Sequence, residues 1–142
     1  MTVHLIKLCV GADAIDDLAA RVKERLVAFD KAPAGKAYIH VTRMHPRREK
    51  DLIDDGSIYW VIKGSVQARQ RFLGIDDQIG ADGIKRAAFF LDPKIILTEP
   101  APKRAFQGWR YLPVEDAPRD LSDYDSGAPP GLSKELAELG LL

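Results

Sequence analysis

The run Ser57-Ile58-Tyr59-Trp60-Val61-Ile62-Lys63-Gly64 constrains this chain more than any other stretch. Its β-branched and aromatic residues, bracketed by Gly56 and Gly64, make it the strongest strand signal in the sequence. Side chains alternate across a strand, so Ile58, Trp60 and Ile62 share one wholly apolar face. Tyr59, Val61 and Lys63 share the other. A central or near-central strand follows, with a tryptophan at the middle of its buried side.

The segments around it are read in the same way. Leu5 to Val10, closed by Gly11, reads as a first strand. Asp13 is the expected cap of a helix whose apolar stripe runs Ile15, Leu18, Ala19, Val22, Leu26 and Phe29. Asp17 and Arg21 are spaced for an ion pair, and Pro33 and Gly35 end the helix. Lys36 to Arg43 alternates as a strand, followed by a loop that Pro46 keeps out of the sheet. Val66 to Ile75 fits a strand better than a helix, and Asp82-Gly83 predicts a hairpin turn into Arg86–Leu91. Ile95–Leu97 is a short strand broken by Pro100 and Pro102, and Gly108 opens a last one through Leu112.

The expected fold is therefore a single α+β domain. A curved, mostly antiparallel or mixed sheet, with a PUA-like barrel as one way of closing it, packs against one long N-terminal helix. Residues 1–112 form the core. Residues 113–142, rich in proline and acid, form a tail in which Ser133 caps a short helix bearing Leu136 and Leu139. With 142 residues the chain can bury one sizeable core but not two.

Charge narrows the function classes. The net formal charge is zero, but residues 36–111 carry an excess of five positive charges and residues 112–142 an excess of five negative ones. That pattern fits an anion-binding surface partly covered by its own C-terminus, or solvated surface with no further role. No apolar run approaches membrane-spanning length, and no secretory signal opens the chain. With a single cysteine, Cys9, the cytoplasm is the expected compartment. His40 and His45 match no zinc spacing, and no nucleotide or nucleophile motif is present, so neither metal nor cofactor is expected. Gly80-Ala81-Asp82-Gly83 has the spacing of a phosphate-clamping loop, but Asp82 would repel phosphate and a turn is the better reading.

The constellation with most chemical content is basic and aromatic: Arg43, His45, Arg47, Arg48, Lys63, Arg69, Arg71 and Arg110, with Tyr59 or Trp109 as a stacking platform. Cations beside exposed rings suit RNA or another polyanion. If the rings are core and the arginines pair with aspartates, that surface vanishes. Two alternatives stand beside it. Leu136, Leu139, Leu141 and Leu142 could dock on a partner or a second copy. Or His45 could act as an acid–base group in a small-molecule enzyme, with Arg43 and Arg47 as an anion clamp.

The strings Ser57–Gly64, Arg69-Gln70-Arg71 and Phe106-Gln107-Gly108-Trp109-Arg110-Tyr111-Leu112 together resemble a family of short alphaproteobacterial proteins catalogued only as a domain of unknown function. The resemblance covers nearly the whole chain and implies no activity, cofactor or catalytic residue. The order of a first strand, a long helix and several hairpins is also similar to PUA-like barrels, many of which bind RNA or modified bases; that likeness implies a fold and no site.

Overall fold

The structure, a computed structural model, describes residues 1–104 and 106–124. The chain runs β1 (His4–Leu8), α1 (Ile15–Glu24), β2 (Leu26–Ala28), β3 (Lys36–Thr42), α2 (Glu49–Ile53), β4 (Ser57–Ile62), β5 (Ser65–Ile79), β6 (Lys85–Leu91), β7 (Ile96–Pro102), β8 (Trp109–Leu112) and β9 (Asp120–Asp123). All nine described strands join one open mixed sheet, in the order β2-β3-β6-β5-β4-β1-β8, with β7 on β5 and β9 on β7. Only the β1–β4 pair is parallel among the described pairings.

Strand β4 is central, as its composition predicts, and all six of its residues are buried. Both of its faces are therefore covered. The inner face carries Ile58, Trp60 and Ile62 into the main core with Leu5, Tyr38, Phe72 and Phe89. The outer face carries Tyr59 and Val61 into a smaller cluster with Ile6 and Val66. Lys63 leaves the strand altogether: with φ of 53° it forms, with Gly64 at 75°, the tight turn into β5.

Strand β5 spans fifteen residues, longer than its sequence suggests. Its first half lies between β4 and β7, and its second half pairs with β6. The register slips at Leu73, between Phe72↔Leu91 and Gly74↔Phe90, and a bulge there re-aims the strand. The sheet folds over at this point, bringing His40 of β3 edge-on to Trp60 of β4 at 5.1 Å. Gly74 makes room for Phe29, whose ring stacks on Phe90 at 4.9 Å.

The expected long helix and α+β balance do not form. About 47% of the described residues are strand and 15% helix, and α1 alone exceeds six residues among them. The apolar stripe does continue to Phe29, but α1 stops at Glu24, and Leu26–Ala28 pair antiparallel with Lys36–Tyr38. Periodicity cannot distinguish one more helical turn from a short edge strand, and here the hairpin through Pro33 and Gly35 wins the backbone hydrogen bonds. The sheet is also open, so no PUA-like barrel closes. At the start of α1, Asp17 rather than Asp13 does the capping, accepting from the N–H groups of Asp13 and Ala14. Arg21 forms no pair with Asp17; it donates to the Val10 carbonyl at 2.8 Å.

Two later segments also differ. Strand β7 runs through Pro100 and Pro102, because a register slip opposite Gln67 leaves Pro100 without a ladder partner on β5. Residues 113–124, expected as part of a tail, make a 3-10 turn at Val114–Asp116 and then add β9 to the sheet edge. The expected helix capped by Ser133 lies outside the described residues.

Gly56 approaches other backbone more closely than a side chain permits. A Cβ there would lie 2.3 Å from the Leu52 carbonyl oxygen and 2.4 Å from that of Val3. Gly56→Ala is expected to cost about 3 kcal/mol or more in urea unfolding, since neither carbonyl is the end of a flexible side chain. His40 makes stability pH-dependent. Burial first, then the charges of Lys7, Arg25 and Arg21, lowers its pKa from 6.5 to about 3. Between those values the unfolded imidazole binds a proton and the folded one does not, so stability falls as pH drops below 6.5. His40→Phe should show a shallower loss of unfolding free energy between pH 7 and 5 than the wild type.

Candidate functional site

A groove of about 560 Å³ lies on the outer face of β4 and β5. It follows from strand alternation. Tyr59 pairs with Arg69 and Ser57 with Arg71, so the outward side chains of the two strands converge. His4 of β1 meets Tyr59 edge-on at 5.1 Å and completes the floor. One wall is the segment after β8, through Val114, Pro118, Arg119 and Asp120; Asp55, Asp92 and Lys94 border the rest.

Electrostatics hold this groove in shape. Arg69 grips Asp120 with Nε and Nη2, each at 2.8 Å, and donates through Nη1 to the Ser57 hydroxyl at 2.8 Å. A bidentate guanidinium–carboxylate pair fixes orientation as well as charge. That hydrogen bonding lowers the Asp120 pKa and raises that of Arg69. Arg71 pairs with Asp55 at 2.8 Å, and Lys94 with Asp123 at 3.0 Å. Arg119 makes no ion pair among the described residues.

The floor offers neutral groups. The Ser57 N–H donates to His4 Nδ1 at 3.0 Å, leaving Nε2 to carry the proton of the neutral ring. Burial, reinforced by the Arg69 charge, lowers the His4 pKa and so favours that neutral form. Burial raises the Tyr59 pKa and keeps the phenol protonated. The Tyr59 hydroxyl has no hydrogen-bond partner among the described residues.

Of the ten residues singled out in the sequence, Tyr59, Arg69 and Arg71 meet in this groove. Arg43 and His45 line a second, smaller concavity of about 340 Å³ with Asp77, Lys85 and Arg86. There His45 bridges Asp77 on β5, at 2.8 Å, and Glu49 on α2. His45 thus contacts two carboxylates, and of the two arginines expected beside it Arg43 shares its concavity. Arg47 is exposed and lies in neither concavity. Arg48 pairs with Asp51 and rests over the Tyr111 ring, and Lys63 pairs with Asp13. Arg110 covers Phe106 at 4.8 Å. Trp109 belongs to the inner face, its indole N–H donating to the Met44 carbonyl at 3.1 Å.

A family model described as Protein of unknown function (DUF1489) matches residues 5–142. The chain belongs to that family. This agrees with the expectation of an uncharacterised family and supplies no activity, ligand or site residue. No curated protein and no solved structure matches the chain.

His4, Asp55, Lys94, Arg119 and Asp120 were not among the candidate residues. One signal did point to the last: the acidic excess after residue 112 opposite a basic middle. Asp120 and Asp123 are part of that excess, and they pair with Arg69 and Lys94. Among the described residues no helix is long and apolar enough to cross a membrane. The leucines expected to dock a partner, Leu136, Leu139, Leu141 and Leu142, lie outside the described residues.

Asp120→Asn removes one charge from the clamp. Near neutral pH it should cost about 1 kcal/mol, less than a fully buried pair, because Asp120 is 46% exposed. The Asp120 carboxyl is depressed, so its contribution is complete above the unfolded carboxylate pKa and is lost as pH falls through the folded one. Urea unfolding of the variant should converge on the wild type as pH falls below about 4.

Proposed function

We propose that the outer groove binds a small molecule carrying one carboxylate or phosphate group. The supporting observation is its charge arrangement. Arg69, Arg71, Lys94 and Arg119 line a concavity whose volume lies within the roughly 300–1,000 Å³ of small-molecule sites. Three of these cations are held by their own carboxylates; among the described residues Arg119 is the lining cation without an ion pair, and Asp92, whose carboxylate accepts from the Lys94 N–H, is the lining acid without one. One unpaired cation suits one anionic group. It suits a polyanion poorly, because a phosphate chain gains affinity by neutralising many free cations.

The neutral donors of the floor complete the reading. The Tyr59 hydroxyl can donate to the same oxyanion, and the ring faces of Tyr59 and His4 can cover an apolar body. His4 in its proton-bearing Nε2 form is a donor and not a base. The groove is thus read as a binding site, with no acid–base step assigned to it.

A polyanion such as RNA keeps one supporting observation. Arg110 covers Phe106, and Lys103, Arg104 and Arg110 form no ion pairs among the described residues. Ligand-observed NMR with a panel of small carboxylates and phosphate monoesters separates the readings. The groove reading expects hits whose affinity drops about tenfold in Arg119→Ala, and several-fold in Tyr59→Phe. Retention on heparin at low salt, lost steeply as salt rises and unaffected by Arg119→Ala, would instead favour the polyanion and the Phe106 edge.

A further inference from the structure

The inner face of the same sheet carries a second charged cluster with a different balance. Alternation along β1 sends Leu5, Lys7 and Cys9 inward, opposite to His4 and Ile6. Lys7 sits in register with Trp60 on β4 and with Trp109 on β8, so its stem lies between two tryptophans. Facing it across the fold, His40 meets Trp60 edge-on at 5.1 Å, with the Tyr38 ring 6.4 Å from His40. From α1, Arg21 reaches in with Nη1 3.7 Å from the Cys9 sulfur. Arg25 follows at the end of α1, where its carbonyl accepts from the Ile39 N–H at 3.1 Å.

Two features of this cluster lack an internal explanation. Tyr38 is 0% exposed, yet its hydroxyl has no hydrogen-bond partner, and neither does either buried ring nitrogen of His40. Burial raises the Tyr38 pKa, and the charges of Arg21 and Arg25 oppose it; Arg25 approaches the phenol hydroxyl without closing a hydrogen bond of good geometry. Lys7, Arg21 and Arg25 also form no ion pair among the described residues. The carboxylate that Cys9 senses is that of Asp17, already spent on the N–H groups of Asp13 and Ala14.

Buried polar groups are nearly always satisfied, and partly buried cations are normally paired. A trapped water could satisfy the hydroxyl and the imidazole but would bring no counter-charge to partly buried Lys7 and Arg21. We infer that the side-chain cluster between α1, β1 and β3 is an oxyanion site: Lys7, Arg21 and Arg25 hold a carboxylate, phosphate or sulfate group, and Tyr38 and His40 donate neutral hydrogen bonds to it. Burial lowers the Lys7 pKa, as expected of an ammonium group still waiting for its counter-charge. The same burial raises the Cys9 pKa, so the thiol lines the site without serving as a nucleophile. Half-buried Lys7 and exposed Arg25 mark the mouth. This site is separate from the outer groove, since Tyr59 and Trp60 point to opposite faces of β4.

Sulfate is the probe, titrated into the full chain against chloride at matched ionic strength, with melting temperature and the His40 ring proton shifts as readouts. A saturable rise in melting temperature and a saturable His40 shift, both specific to sulfate, are expected. Arg25→Met and Lys7→Met should each weaken binding about tenfold, and Tyr38→Phe about fivefold. Lys7→Met also removes a desolvated charge, so a purely structural lysine would change stability and leave the sulfate response intact. Arg25 is exposed, and its variant keeps the test decisive should Lys7→Met not fold. Equal responses to sulfate and chloride would overturn the inference. So would a sulfate response that survives Arg25→Met and disappears in Arg119→Ala; the anion would then belong to the outer groove.

Discussion

Strand β5 has to satisfy the backbone of three neighbours, and the rest of the molecule is arranged around how it does so. Its first half completes the ladders of β4 and β7; its second half leaves them and pairs with β6. The change of partner needs a bend, supplied by the bulge at Leu73, and the bend needs an anchor. The indole N–H of Trp60 donates to Gln70 Oε1 at 3.0 Å, and Gln70 Nε2 donates to the Asp92 carbonyl at 3.0 Å. Gln70 is wholly buried, so either bond left unmade would cost roughly 1–3 kcal/mol. This chain ties the middle of β4, the turning point of β5 and the end of β6 together.

That arrangement produces two unlike surfaces from adjacent residues. At Tyr59 and Trp60 the chain passes from the outer groove to the inner core within one peptide unit, and β1 does the same between Ile6 and Lys7. Outside, cations meet carboxylates delivered by the segment after β8, and the groove is close to electrically balanced. Inside, Lys7, Arg21 and Arg25 gather beside neutral groups and a sulfur, while the Asp17 carboxylate is taken up by the N–H groups of Asp13 and Ala14. A charge partly withdrawn from water acts more strongly than the same charge on the surface. The inner face therefore has the greater demand for an anion, although the outer face has more charged residues.

The chain from Pro113 onward shows how composition and structure diverge. Proline and acid suggest a segment without a place in the core. Yet Asp120–Asp123 pair with β7, and Asp120 orients Arg69. A four-residue edge strand gains little from its own propensity. Its position comes from one bidentate ion pair and a sheet edge already waiting, and neither is visible locally.

How much was legible follows from the range of each interaction. The strands β1, β3, β4, β5 and β6 could be read because alternation and turn residues act over a few neighbours; so could the inward side of Trp60. The end of α1 could not, since Leu26 and Phe29 continue the helical period while their partners, Tyr38 and Phe90, lie far along the chain. Of the outer groove, Tyr59, Arg69 and Arg71 were legible from their strand positions, whereas His4, Arg119 and Asp120 were not. By itself the sequence determined which residues alternate, where the chain turns and how charge is divided between its middle and its end. Only the tertiary structure decided which cations meet an acid and which do not. Pairing depends on distances of a few ångströms between segments that can lie far apart in the chain, as Arg69 and Asp120 do at 51 residues, and no local pattern encodes them.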